Sequence, residues 1–241
     1  MEIHIVTAFP KIFDGPLNES IVKRAVNKNL VTFYLHDFRA YCTDKHKKID
    51  DYPYGGGPGM ILKPEPIYRC IEDVRDKYDL HRTPVTLLSP AGTVYTQRSA
   101  VELSLREKLI LLCGHYKGLD ERVIEQIVDE EISIGDYILT GGELAALVVI
   151  DSVVRLLPGA IGDIDSAVTD SFQTGLLDHP HYTRPEEFRN AKVPEVLLSG
   201  NHQKIEQWRA DMALQRTKMR RIDLYNKFIQ EDWNDSDRDE E

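Results

Sequence analysis

K-L-I-L-L-C-G-H-Y-K-G-L-D-E-R-V-I-E-Q-I-V-D-E-E-I-S-I-G-D-Y-I-L-T-G-G-E-L-A-A-L-V-V-I-D-S-V-V-R-L-L-P-G, residues 108–159, is the stretch whose reading decides the fold. Leu109–Cys113 is a short, continuous apolar run stopped by Gly114, which suits a strand buried on both faces. Glu121–Val128 follows with Val123, Ile124, Ile127 and Val128 at helical spacing. Glu131–Ile134 is a second strand, ending at Gly135. Thr140-Gly141-Gly142 breaks the chain again, and Glu143–Leu157 is a long apolar helix closed by Pro158-Gly159. Strand, glycine loop, helix, repeated, is the α/β pattern and predicts a parallel sheet. In such sheets ligands bind outside the carboxyl ends of the strands. Gly114, Gly118, Gly135, Gly141 and Gly142 fall at those ends, where a residue lacking Cβ lets a ligand approach the backbone. The bland alternative for each is an ordinary turn. Neither common nucleotide fingerprint, G-x-G-x-x-G or G-x-x-x-x-G-K-[ST], is present.

Upstream, Ile3–Ala8 and Val31–His36 read as strands, and Asn18–Asn27 as an amphipathic helix capped by Asn18 or Ser20. Tyr52–Met60, with four glycines and two prolines, is a loop. Pro66–Tyr78 is a helix, Pro84–Leu88 a buried strand ending in Ser89-Pro90-Ala91-Gly92, and Gln97–Leu105 a short helix. After Gly159 the character changes. Residues 161–169 read as a linker between a domain over 1–160 and a mostly helical one over 170–241. In the latter, His179–Arg184 is irregular, Glu195–Leu198 a short apolar segment, and Asn201–Ile229 helical with a break near Ile222. Ile205, Trp208, Met212 and Leu214 point inward.

Length suffices for a substantial core, and 41% hydrophobic with 29% charged residues is ordinary for a globular chain. No run reaches the 18 or so apolar residues of a membrane span. The amino terminus has no signal-peptide pattern, so a cytoplasmic location is expected. Cys42, Cys70 and Cys113 are far apart and indicate neither a disulfide framework nor a zinc site. The net charge of −10 is concentrated in the last eleven residues, whose seven acids and one Arg carry −6; a tail of that kind reads as disordered. Arg209, Arg216, Lys218, Arg220 and Arg221 make a local basic stretch that suits phosphate, or else a solvated helix face.

Eight motifs, in order, carry a resemblance: P-Y-G-G-G-P-G-M (53–60), L-L-S-P-A-G (87–92), C-G-H-Y-K-G-L-D-E-R (113–122), E-I-S-I-G-D-Y-I-L-T-G-G-E-L (131–144), S-V-V-R-L-L-P-G (152–159), D-S-F (170–172), G-L-L-D-H-P-H-Y-T-R-P (175–185) and V-P-E-V-L-L-S-G-N-H-x-x-I-x-x-W-R (193–209). In these the chain resembles the bacterial tRNA (guanine-N1)-methyltransferases, the TrmD family of the SPOUT class. The resemblance implies a homodimer whose α/β domain holds a deep trefoil knot. It implies S-adenosylmethionine as methyl donor, bound by Leu87, Leu88, Ser89 and Pro90, by Gly114 and Tyr116, and by Ser133, Ile134, Gly135, Asp136, Tyr137, Ile138, Leu139, Gly141 and Gly142. The acceptor implied is N1 of the guanine at tRNA position 37, next to the anticodon, and a Mg2+ requirement comes with it, although no ligand set is legible.

By the same resemblance Asp170 is the general base and Arg155 the cation that stabilises charge on guanine O6. From the residues alone, Arg155 in its apolar surroundings also reads as a structural ion pair, and Asp170 as a helix N-cap. Asp178 is a second candidate, for placing the base or helping a metal. It stands with His181, Tyr182, Arg184, His202, Trp208, Arg209, Arg216 and Arg220 on the substrate side, where the aromatic and basic groups are the candidates for contacting RNA and Trp208 reads as core rather than as a stacking platform. Two positions depart from the family pattern: Lys117, where many members have Glu, and Ala145, where many have Pro. Other readings are a SPOUT enzyme acting on another RNA base, a non-catalytic RNA-binding relative, and an oxidoreductase lacking its glycine fingerprint.

Overall fold

The computed structural model describes residues 1–161 and 170–236, with side chains through residue 230. Two compact units emerge, Met1–Ile164 and Asp165–Glu241. The linker expected at 161–169 lies outside the described residues from position 162 onward.

The first unit is built on five parallel strands: β1 (Glu2–Thr7), β2 (Thr32–Asp37), β5 (Val85–Val94), β6 (Lys108–Cys113) and β7 (Glu130–Ser133), ordered β2-β1-β6-β5-β7. Central β6 shows why a continuous apolar run was needed. Leu109, Leu111 and Cys113 pack on one face with α1 (Ser20–Asn27), α3 (Gln97–Ser104) and α5 (Glu143–Val154). Ile110 and Leu112 pack on the other with α2 (Pro64–Tyr78) and α4 (Glu121–Ile127). A two-residue period with helices on both sides leaves no polar position from Leu109 to Cys113.

Several boundaries differ from expectation. β5 does not stop at Leu88 but runs through Ser89-Pro90-Ala91-Gly92 to Val94, with a register shift against β7 between Leu88 and Thr93. Gly92 permits this: a Cβ there would run into the backbone of Glu131 and Ile132. Neither Asn18 nor Ser20 caps α1. Asn18 ends a short 3-10 turn and donates to the Asp14 carbonyl, Ser20 is the first helical residue, and Glu19 occupies the cap without a side-chain bond. α5 ends at Val154, so Arg155 is its C-cap, with its N–H donating to the Asp151 carbonyl. The glycine-rich loop is flanked by a two-stranded antiparallel pair missed in the sequence, β3 (Asp50–Asp51) and β4 (Ile61–Leu62).

Among its described residues the second unit contains a small hairpin, β8 (Glu187–Phe188) with β9 (Ala191–Lys192), also unforeseen, and three helices: α6 (Glu195–Leu198), α7 (His202–Arg220) and α8 (Ile222–Ser236). The break comes at Arg221, whose guanidinium is paired with Asp223. The acidic tail is helical through Ser236 rather than disordered from Glu231, because α8 carries on into it. Residues 170–176 form turns, so Asp170 caps no helix. No described helix is long and apolar enough to cross a membrane.

Candidate active site

At the carboxyl end of the sheet, three loops enclose an open cleft of ≈ 280 Å³. Leu87, Leu88, Ser89 and Pro90 come from β5. Gly114 and Tyr116 follow β6. Ser133, Ile134, Gly135, Tyr137, Leu139, Gly141 and Gly142 follow β7. Asp136 and Ile138, expected among them, do not line the cleft and are exposed, Ile138 at 79%. The loop after β7 turns two of its side chains outward, a detail that motif matching does not resolve.

The cleft is held by backbone contacts between its loops. Gly142 N donates to the Gly114 carbonyl at 2.8 Å, and His115 bridges Gly141. A Cβ at Gly142 would sit 3.0 Å from Cys113 Cα and 3.1 Å from Gly114 N, so a side chain there would force one of the two loops to give way. Beneath them, buried Glu143 at the start of α5 accepts a hydrogen bond from Thr7 Oγ1 at 2.7 Å. Thr7 ends β1, so this bond ties the floor of the cleft to the sheet. Burial, and then the charge of Glu143, push the Cys113 thiol well up, and it stays protonated.

Leu119 and Ile132, which the sequence reading omitted, also line the cleft, together with His115 between Gly114 and Tyr116 and the two departures Lys117 and Ala145. His115 Nδ1 is buried without a hydrogen-bond partner, while its ring packs against Phe9 and Tyr116. Its signal was its place in C-G-H-Y, directly after a strand end. Lys117 is fixed through its backbone, with its N–H donating to the Met60 carbonyl at 3.1 Å. Leu62 and Leu119 pair in parallel, so the end of the glycine-rich loop docks along residues 117–120. Tyr116 has a left-handed backbone, φ 60°, and burial and the Asp50 carboxylate raise its phenol. Ala145 is buried in the first turn of α5, where a proline is also tolerated.

In the second unit the structure gathers Asp178, His181 and Arg216. His181 Nε2 lies 2.7 Å from Asp178 Oδ2, and Arg216 donates to the Asp178 carbonyl at 3.4 Å. Trp208 is half-buried beside His179 and Tyr182, so it is neither full core nor a free platform. Arg184 lines a separate shallow cavity with Tyr182, Leu197 and Leu198. His202, Arg209, Arg216 and Arg220 follow at steps of seven, seven and four residues, which puts them on one side of α7. Arg209 pairs with Glu206 at 2.7 Å. Arg155 is half-buried at the end of α5, and Asp170 is half-buried in its turn, its carbonyl accepting from Gln173 N. Among the described residues, one group could share a metal ion, Asp178 with His179 and His181.

Residues 1–227 match the protein family described as "tRNA (Guanine-1)-methyltransferase TrmD". The chain belongs to this family. It is 57% identical over 228 residues to the tRNA (guanine-N(1)-)-methyltransferase of Anoxybacillus flavithermus, covering 95% of this chain and 93% of that one. It is 51% identical over 227 residues to that of Clostridioides difficile, covering 94% and 98%. With that of Dehalococcoides mccartyi it shares 54% over 228 residues, covering 95% and 92%.

A methyl donor of S-adenosylmethionine type fits the cleft on two grounds from this chain. Gly141 and Gly142 line the cleft with bare backbone where a Cβ would crowd its neighbours, and His115 Nδ1 is a buried polar atom in the lining with no partner of its own.

Proposed function

We propose that the protein methylates N1 of the tRNA guanine immediately 3′ of the anticodon, with Asp170 as general base. Methylation of a tRNA guanine at N1 follows from the family. The observation that carries the reading to this chain is the three-loop cleft at the sheet's carboxyl end, where S-adenosylmethionine would be held by the β5, β6 and β7 loops. When bound, that donor supplies an electrophilic methyl group on a sulfonium sulfur.

The chain's own residues must do the rest. Guanine N1 bears a proton and is a weak nucleophile until it is removed. Asp170 takes that proton as the N1–methyl bond forms, a contribution of about 10²–10⁴ in rate for a well-placed base. Arg155 stabilises the negative charge that develops on O6. The second unit presents the RNA-binding surface: Asp178, His181 and Arg216 gathered at one loop, and His202, Arg209 and Arg220 along α7. Unpaired anticodon-loop bases suit such a surface of rings and guanidinium groups. A Mg2+ ion has no step in this scheme, and the one candidate ligand group is rich in nitrogen rather than oxygen.

The working unit is a homodimer in the cytoplasm, in which the cleft of one copy is completed by Asp170 of the other. Leu144 and Val148, one turn apart on α5, are half exposed on a helix whose opposite face is sunk in the core, and Val94 and Ile138 are more exposed still. Apolar side chains of this kind suit a second copy. The deep knot is part of the same proposal. The chain leaves edge strand β7, crosses the end of β6 through the Gly142–Gly114 bond, and enters α5 against β1 and β6.

Incubating the protein with tRNA transcript and methyl-labelled S-adenosylmethionine, then mapping the label, tests the reading. Label at N1 of the guanine following the anticodon is expected. Asp170→Asn should bind donor normally and turn over at least about 100-fold more slowly. Label at another base, or near wild-type turnover by Asp170→Asn at neutral pH, overturns the site or the base respectively.

A further inference from the structure

Asp178, His179 and His181 converge in the second unit, each offering a ligand atom within 4.8 Å of the others. His181 Nε2 is 2.7 Å from Asp178 Oδ2, and His179 Nε2 is 3.7 Å from Asp178 Oδ1. The imidazole centroids are 4.4 Å apart. The loop backbone is anchored as well: Asp178 N donates to Ser171 Oγ at 2.9 Å, and Arg216 reaches the Asp178 carbonyl.

The second nitrogen of His179 decides the matter. Its Nδ1 lies 3.1 Å from the Pro180 carbonyl oxygen, which can only accept. Nδ1 therefore carries the proton, and in the neutral ring Nε2 presents a lone pair toward the Asp178 carboxylate. That arrangement calls for positive charge between ring and carboxylate, supplied either by a second proton on Nε2, which makes a His179–Asp178 ion pair, or by a bound cation. A backbone carbonyl that fixes the tautomer from behind is the usual support of a metal-bound histidine. A plain His181–Asp178 hydrogen bond satisfies His181 but not Nε2 of a neutral His179.

We propose that Asp178, His179 and His181 bind one divalent ion of the borderline class, such as Zn2+ or Co2+, through the carboxylate and the two Nε2 atoms. Two imidazoles and a carboxylate suit such ions, whereas Mg2+ takes oxygen ligands and keeps most of its water. The Asp178 and His179 side chains are 21% and 17% exposed and form the inner wall, while His181 is 67% exposed and stands at the solvent side. The remaining coordination positions open to water.

The full-length protein, stripped with a chelator and dialysed, is titrated with Co2+ and followed by its visible absorption, and with Zn2+ by calorimetry. One equivalent is expected, with bands of a nitrogen-containing, low-coordinate site, and millimolar Mg2+ should not displace it. His179→Ala and His181→Ala should each weaken Zn2+ binding by at least about tenfold, while His202→Ala leaves it unchanged. His181 is exposed enough that its replacement leaves the fold intact, which circular dichroism checks. Absence of saturable one-to-one binding, displacement by Mg2+, or equal affinity in the His179 and His181 variants overturns the proposal.

Discussion

The two units of this chain bury their side chains very differently. In the first, two continuous apolar clusters sandwich a parallel sheet, and Ile3, Ile5, Leu111 and Ile110 are fully enclosed. In the second, Thr217 is the only described residue that is fully buried, and Ile205, Trp208, Met212 and Leu214 are covered only in part. Phe188, Leu198, Met219 and Ile222 remain exposed. A cleft made of backbone at strand ends needs a stiff frame, because glycine contacts near 3 Å tolerate little displacement. A surface that takes up RNA gains from side chains left unspent by its own folding.

The sharpest test of this contrast is a matched pair of truncations. Leu111→Ala, at the centre of the sheet, should cost about 2–5 kcal/mol in denaturant unfolding. Leu214→Ala on α7 should cost about 1 kcal/mol, since less apolar area leaves water there to begin with. Equal losses would break the comparison. Next in size is Gly142→Ala. Overpacking of this kind costs about 1–3 kcal/mol, so donor affinity measured by calorimetry should fall roughly ten- to hundredfold while tRNA affinity holds. Loss of tRNA binding instead would tie the RNA surface to the cleft.

A smaller effect separates the units by pH. His4 is fully buried, its Nδ1 3.0 Å from His36 Nε2, between Tyr34 and Tyr78. Burial, and then the neighbouring His4, lower His36 to about 4, and burial lowers His4. The unfolded chain thus binds more protons between pH 6.5 and 4, so stability falls as pH drops through that window. His36 is half exposed, and after discounting for solvent its share is about 1 kcal/mol. Unfolding midpoints at pH 7.5 and 5 should converge for His36→Gln relative to the wild type. Smallest is Arg220→Ala, which should lower the salt slope of RNA binding by about 0.7, the single-strand value for one phosphate contact, and leave donor binding unchanged. An unaltered slope would move the RNA surface off α7.

Much of this was legible in the residues. The uninterrupted run Leu109–Cys113 required a strand with helices on both faces, and the glycines after it marked the cleft end of the sheet. The sequence also showed the break near Ile222, because the apolar spacing changes there. It did not show that β5 continues past Pro90, since that depends on Gly92 meeting the backbone of β7. Nor did it single out His115, whose meaning comes from burial without a partner, or the outward turn of Asp136 and Ile138.

Local chemistry, then, determined which of the main segments are strands and helices and which family the chain belongs to. These depend on neighbours along the chain, whose distances are set by covalent geometry. Tertiary structure alone decided which loops share the cleft, that Glu143 is tied to Thr7, and that Arg216 reaches the Asp178 carbonyl. Each of these is a contact made in space, some between residues more than a hundred positions apart. Its sign and strength depend on ångström distances and on the exclusion of water, neither of which the order of residues records.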